Sequence, residues 1–299
     1  MFFADTLTVT LMQALALLFG LGGIGIVAAV RGNFACLAKS VLWIRYRTWI
    51  ALVLVFTLAV AGGRWAIVGL AAAFAIVAAC EFATMMGLRK VYTASLLIAC
   101  LSSIAIATVA PDALVWLSGL ALLAGFGPGL LRRQPNDMFQ ATRTMLGALY
   151  LGWPLALLIL LADRPSGEAW VGLALLGSAV SDVAAFSLGS MLGGPKLCPQ
   201  LSPSKTWMGA VGNILGAAIA LALMLPALPP FHPLAGLLLV AAIGLGSIGG
   251  DLIESMLKRA CGIKDAGTWL PGFGGLLDRI DSLLLVAPLL YGAVWTLGL

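Results

Sequence analysis

The residues of this 299-residue chain that could do chemistry crowd into its last third. Asp251, Glu254, Ser255 and Lys258 recur at i, i+3, i+4 and i+7, which puts one polar stripe on an otherwise apolar helix. Lys258 and Arg259, with Lys264 after a break at Gly262, fall where lipid phosphates lie at a membrane surface. The run Pro271-Gly272-Phe273-Gly274-Gly275 predicts a tight turn whose backbone can approach a ligand closely. Asp278 and Asp281 then stand at i and i+3 at the start of the last helix, with Arg279 between them. Two such carboxylates repel each other, and Asp251 belongs to a neighbouring helix that could face them. A hard divalent cation would keep the cluster ionised, and Mg²⁺ binds through one or two carboxylates plus substrate phosphates and water. An interhelical salt-bridge network among Asp278, Arg279, Asp281, Lys258 and Arg259 is the plainer alternative, and an ion path is a third.

Two upstream features point the same way. Ser202, Ser204, Lys205 and Thr206 put three hydroxyls and an ammonium at what reads as the start of a helix, where exposed N–H groups and the dipole favour an anion. The bland reading is a cap by Ser204 or Ser202, but a cap does not call for the lysine. Asp182 sits deep in an apolar run, where an ionised carboxylate costs at least ~2.5 kcal/mol unless a cavity, cation or partner offsets it. It reads as a site residue or as a polar contact between helices. Glu81, near the inner end of an earlier apolar run, is open to function or to a structural partner such as Arg89 or Lys90. The single histidine, His232, lies among prolines, and the five cysteines form no CxxC pair. Histidine triads, zinc sites and disulfides are therefore set aside.

Positioning these residues falls to helices in a membrane. The chain is 62% hydrophobic and 10% charged, which excludes an ordinary soluble domain. Apolar runs at 7–30, 48–62, 65–86, 93–109, 113–131, 143–162, 168–192, 207–227, 234–254 and 282–298 predict an all-α polytopic membrane protein of about nine to ten spans. The stretch 125–129, Gly-Phe-Gly-Pro-Gly, reads as a helix exit. Placing the N-terminus outside puts 15 of the 17 basic residues on the inner side, leaving only Arg64 and Arg164 opposite them. The polar cluster then faces the cytoplasm, lining a polar cavity there. The first run carries Asp5 before it and Arg31 after it, the reverse of a cleavable signal, so it reads as a retained span. The net charge of +5 suits anionic membrane lipid as a neighbour, not nucleic acid.

The order of these motifs resembles the phosphatidate cytidylyltransferases (CDP-diacylglycerol synthases). The resemblance rests on Ser255-x-x-Lys258-Arg259-x4-Lys264-Asp265-x6-Pro271-Gly272-x-Gly274-Gly275-x-x-Asp278-Arg279-x-Asp281. Ser202-Pro203-Ser204-Lys205-Thr206-Trp207 and the Asp182–Gly189–Gly193 helix agree in order. Arg45-Tyr46-Arg47-Thr48 followed by Glu81-Phe82 matches the family's usual start. It divides the chain into an extra N-terminal span and loop (1–44), an N-terminal helical region (45–175) and a catalytic region (176–299).

The resemblance implies that CTP and phosphatidate react to CDP-diacylglycerol and pyrophosphate. It assigns Mg²⁺ to Asp251 and Asp278 with Asp281 as a further ligand or supporting group, and it allows a second cation such as K⁺. Ser202, Lys205 and Thr206 would hold the CTP phosphates, and Lys264 and Asp265 would line the nucleotide pocket. Lys258, Arg259 and Arg279 would neutralise the lipid phosphate or pyrophosphate, while Asp182 shapes the floor. A homodimer is the state the family's tendency implies. Two positions depart from the family pattern: Phe273 replaces a histidine and Met208 a glutamate. They favour the alternative of a homologue that binds lipid or ions without turnover. Another CTP-using lipid enzyme, such as a polyprenol kinase, is the nearest enzymatic alternative. A transporter fits poorly, since the polar residues gather at one face.

Overall fold

The computed structural model describes residues 6–13, 41–132, 137–267 and 274–299. The expected first span at 7–30 and the turn residues Pro271, Gly272 and Phe273 lie largely or wholly outside these. Residues 6–13 are helical. Helix α1 covers Val41–Ala61, α2 Arg64–Met85 and α3 Lys90–Val109. A 3-10 turn, Pro111–Trp116, leads into α4, Leu117–Arg132. Then come α5 (Met138–Gly147), a π-helical turn (Ala148–Gly152) and α6 (Trp153–Ala162). The last third holds α7 (Gly167–Leu192), strands β1 (Lys196–Cys198) and β2 (Ser202–Thr206), α8 (Trp207–Met224), α9 (Pro233–Ala260) and α10 (Leu277–Thr296).

The all-α membrane architecture holds, with one two-stranded sheet as its exception. Among the described residues, seven helices are long and apolar enough to cross a membrane, against the nine to ten expected. The difference lies in the first span, in α1, whose apolar part is only Ile50–Ala61, and in α10, whose first turns carry Asp278, Arg279 and Asp281. Arg45–Thr48 belongs to α1, which begins seven residues before the apolar run at 48–62.

Two prolines shape the N-terminal region without ending its helices. The expected helix exit at 125–129 is instead continuous helix as far as Arg132, with Pro128 inside it. Proline has no N–H for the carbonyl four residues earlier. Here that carbonyl, Ala124 O, accepts the hydroxyl of Ser95 at 2.8 Å instead. Gly125 also lets α4 ride directly on α5, where a Cβ would meet Ala141 O at 2.6 Å. Pro154 follows the π turn at 148–152, a wider winding that accommodates the proline ring where an α-helix would clash. Helix α6 is apolar all round, and Leu155, Leu158, Ile159 and Leu161 are fully buried, so it forms the centre of the bundle.

The catalytic-type residues ride on two close helix pairs, α7 with α8 and α9 with α10, which are the most extensive packings in the molecule. Glycines set both. A Cβ on Gly212 would sit 2.6 Å from Ala184 O, and one on Gly216 would sit 2.7 Å from Ser181 Cα. On α9, a Cβ on Gly246 would sit 2.8 Å from Val286 Cα, and one on Gly250 would sit 2.9 Å from Ser282 Cα. With no hydrophobic drive between helices in lipid, such small-residue seams let backbones approach and gain dispersion contact.

Candidate active site

The end of the bundle that carries α7's C-terminus, α9's C-terminus and α10's start holds almost every residue singled out above. After α7, Gly193 and Gly194 take positive φ (62° and 98°) and turn the chain into the hairpin. β1 and β2 pair antiparallel, with Lys196 opposite Thr206 and Cys198 opposite Ser202. The segment expected to open a helix is therefore a strand. The helix begins one residue later, at Trp207, and its cap is Thr206, not Ser202 or Ser204. The Thr206 hydroxyl accepts the Gly209 N–H at 3.1 Å. The strand serves a different end: it carries Lys205 to α9, where its ammonium pairs with Asp251.

Two turns further along α9, Lys258 lies between two carboxylates. It donates to Glu254 Oε2 at 2.5 Å and to Asp278 Oδ1 at 2.7 Å. Glu254 is fully buried and Asp278 is nearly so. Asp278 is also held by backbone: Ala266 N–H reaches both of its oxygens (3.2 and 3.0 Å), and Gly275 N–H reaches Oδ2 at 2.8 Å. Asp281, one turn on, is buried and accepts the N–H of Ser282 at 2.9 Å. It lies within the electrostatic field of Glu254, Asp251 and Asp182.

Deeper in the membrane, Asp182 accepts hydroxyls from Ser247 (2.7 Å) and Ser282 (3.2 Å), and Asn213 donates to Ser247 at 3.0 Å. This knot joins α7, α8, α9 and α10 at one level. Asp182 is thus a contact between helices that lies directly beneath the carboxylates. Arg259 donates to Ile263 O at 3.1 Å, while Lys264, Asp265 and Arg279 are exposed. Of the salt-bridge alternative, the Lys258–Asp278 pair is present.

Glu81 has neither Arg89 nor Lys90 as its partner. Its carboxylate accepts the N–H groups of Leu276 (3.0 Å) and Leu277 (2.7 Å), capping α10 from a helix far upstream. Arg89 instead pairs with Asp137, which also accepts the Tyr92 hydroxyl at 2.9 Å. The Arg89 guanidinium holds the Asp137 carboxyl below the usual carboxylate range.

The sequence reading gave no site role to Glu254, although its i, i+4 spacing to Lys258 is the signal that pairs them. It also missed Asn213 and Ser247, lone polar residues on apolar helices. Tyr150 was missed as well. It lies in the π turn, its buried hydroxyl has no partner, and it sits in the field of Asp281, Glu254, Asp251 and Asp278. π turns of this kind occur often at functional sites.

Among the described residues, no three His, Cys, Asp or Glu side chains are gathered so that they could hold a metal ion by themselves. Asp251, Asp278 and Asp281 do not form a closed cage: Asp251 is paired with Lys205 and Asp278 with Lys258. The donor set suits a cation held partly by substrate. Asp251 is a third exposed, and one oxygen of buried Glu254 lacks any hydrogen bond. Mg²⁺ needs only one or two carboxylates when phosphates and water complete its shell.

Comparison with known proteins agrees with this chemistry. The model of the cytidylyltransferase family matches residues 43–297. An uncharacterized protein of Escherichia coli (strain K12), YnbB, is 32% identical over 258 residues, covering 83% of this chain and 85% of that protein. The phosphatidate cytidylyltransferase of Brucella suis biovar 1 is 41% identical over 153 residues, which are 50% of this chain and 56% of the relative. The match thus spans about half the length of the Brucella enzyme. The phosphatidate cytidylyltransferase of Rickettsia bellii is 30% identical over 202 residues, 58% of this chain and 87% of the relative. With a family match that runs through every element of the site described above, this chain belongs to the cytidylyltransferase family.

Proposed function

We propose that this chain transfers a cytidylyl group from CTP to phosphatidate, giving CDP-diacylglycerol and pyrophosphate. The observation that carries the reading is Lys258, an ammonium fixed between Glu254 and backbone-pinned Asp278 at the same end of the bundle as the Lys205–Asp251 pair. In this reaction an oxygen of the lipid phosphate attacks the α-phosphorus of CTP in line. The bond from that phosphorus to the bridging oxygen breaks, and pyrophosphate leaves with the electron pair. A phosphate monoester near its second pKa is already a competent nucleophile, so positioning and charge neutralisation carry the catalysis.

Lys205, on the partly exposed strand β2 beside Asp251, is placed to take CTP phosphates, with Ser202 on the same strand. Lys258 and the exposed Arg259 and Arg279 suit the lipid phosphate and the leaving group. A divalent cation, when bound, neutralises the CTP phosphates, and Asp251 and Asp278 would hold it. Asp281 backs them from one turn away. The basic-residue bias supports a placement with this end at the cytoplasmic face and the N-terminus outside. That placement suits CTP, a soluble nucleotide, and lets phosphatidate enter from the inner leaflet.

Purified protein in detergent, given CTP, phosphatidate and Mg²⁺, is expected to release pyrophosphate in equal amount with CDP-diacylglycerol, and to stop with EDTA. Product masses showing a phosphorylated lipid with CDP would replace the reading with a lipid kinase. No pyrophosphate with any phospholipid acceptor would leave a binding protein without turnover.

A further inference from the structure

Glu81 stands where no part of the proposed reaction needs a carboxylate, on a helix from the other half of the chain. It is nearly fully buried, and its two oxygens take the N–H groups of Leu276 and Leu277. Two glycines close over it. A Cβ on Gly267 would lie 2.5 Å from Oε1, and a Cβ on Gly275 would lie 2.6 Å from Oε2. Gly267 and Gly275 stand on the two sides of residues 268–273, so the two described arms of the Lys264–Leu277 segment converge on one carboxylate. Asp278 takes the neighbouring N–H groups, Ala266 from one arm and Gly275 from the other. The backbone donors of the two arms are thus shared between Glu81, from α2, and Asp278, from the site itself. A negative charge suits this position, because the start of a helix carries exposed N–H groups and the positive end of its dipole.

We propose that Glu81 is a positioning residue. By clasping both arms against the start of α10 it fixes the side chain of Asp278, and through it the Lys258 ammonium, in the orientation the reaction uses. The inference rests on the cytidylyltransferase reading for its catalytic half. The clasp itself stands on geometry alone. Because Glu81 occupies the α10 N-terminus, substrate phosphates bind at the lysines and not at that helix end.

The test compares wild type, Glu81→Gln, Glu81→Ala, Gly275→Ala and the double variant Glu81→Ala/Gly275→Ala in detergent. Two readouts are used: pyrophosphate release and hydrogen exchange of peptides covering 274–285. Misplacing reacting groups by about 1 Å can cost about 10²-fold. A loss of about that size is expected in kcat for Glu81→Ala, with a smaller loss for Glu81→Gln and KM for CTP nearly unchanged. Exchange at Leu276 and Leu277 should accelerate in both, while peptides from α6 stay protected. Gly275→Ala should impair wild type yet add little to Glu81→Ala, because the crowding it causes is with Glu81. Unchanged exchange at 274–280 in folded Glu81→Gln overturns the clasp. Faster exchange with unchanged kcat overturns the positioning role. A wild type that releases no pyrophosphate defeats the catalytic reading instead, and the exchange data still decide the clasp.

Discussion

At one end of the bundle Arg64 grips Asp163 through two nitrogens, at 2.5 and 3.2 Å, and donates to Thr108 O at 2.8 Å. At the other end Lys258 is shared by two buried carboxylates, Asp281 lies in the field of Glu254, Asp251 and Asp182, and Glu81 takes backbone N–H groups. Both ends use ion pairs, but Arg64 meets a single carboxylate, whereas Lys258 must serve two. The Arg64 pair is about one third exposed on each side (31% and 30%), a solvated clamp between the start of α2 and the loop after α6. The opposite end concentrates carboxylates in a low-dielectric setting where each is costly without a partner. A fold gains nothing in stability from that excess, whereas a site that must accept polyphosphate and a divalent cation needs it. The contrast separates ion pairs that hold the chain from those to which the proposed function gives its chemistry.

The sharpest way to break this comparison is Lys258→Met. It leaves Glu254 and Asp278 facing each other, buried, without their cation. Removing one partner of a buried pair costs about 3–5 kcal/mol, so a large fall in the thermal midpoint in detergent is expected, together with loss of pyrophosphate release. Adding Glu254→Gln to this variant should recover part of the stability and none of the activity. Recovery of both would mean that Lys258 only balances charge.

How much of this was legible beforehand differs between the two ends for a physical reason. The polar stripe from Asp251 to Lys258 and the placement of Asp278 and Asp281 at a helix start follow from helical periodicity, and both are found. Position inside an apolar run also marked Glu81 and Asp182 as residues in need of partners. It could not supply those partners, which lie 195 and 65 positions away for Leu276 and Ser247. The hairpin was missed because Ser202–Thr206 is short, polar and proline-bearing, and so looks like a helix cap. The continuity of α4 depends on a hydroxyl from α3 that answers Pro128. The helix approaches were written in the sequence as Gly246-x-x-x-Gly250 and Gly212-x-x-x-Gly216, a signal that small-residue spacing would have exposed.

Two smaller changes sharpen the contrast by separating stability from activity. Lys205 and Asp251 are partly exposed, 23% and 33%, and a pair of that kind contributes up to about 1 kcal/mol. Lys205→Met should therefore shift the thermal midpoint little while raising KM for CTP or abolishing turnover, as read by pyrophosphate release across CTP concentrations. Unchanged kinetics would remove Lys205 from the phosphate site and make its pair with Asp251 equivalent to the Arg64 clamp. At the opposite end Arg64→Leu removes the clamp itself and the bond to Thr108 O. The expected cost is again about 0.2–1 kcal/mol, small because Asp163 can regain water. Pyrophosphate release at saturating CTP should match wild type, since no residue of the site touches that end. A loss of turnover in folded Arg64→Leu would show that the two ends communicate through α2, the helix that starts at Arg64 and ends beside Glu81.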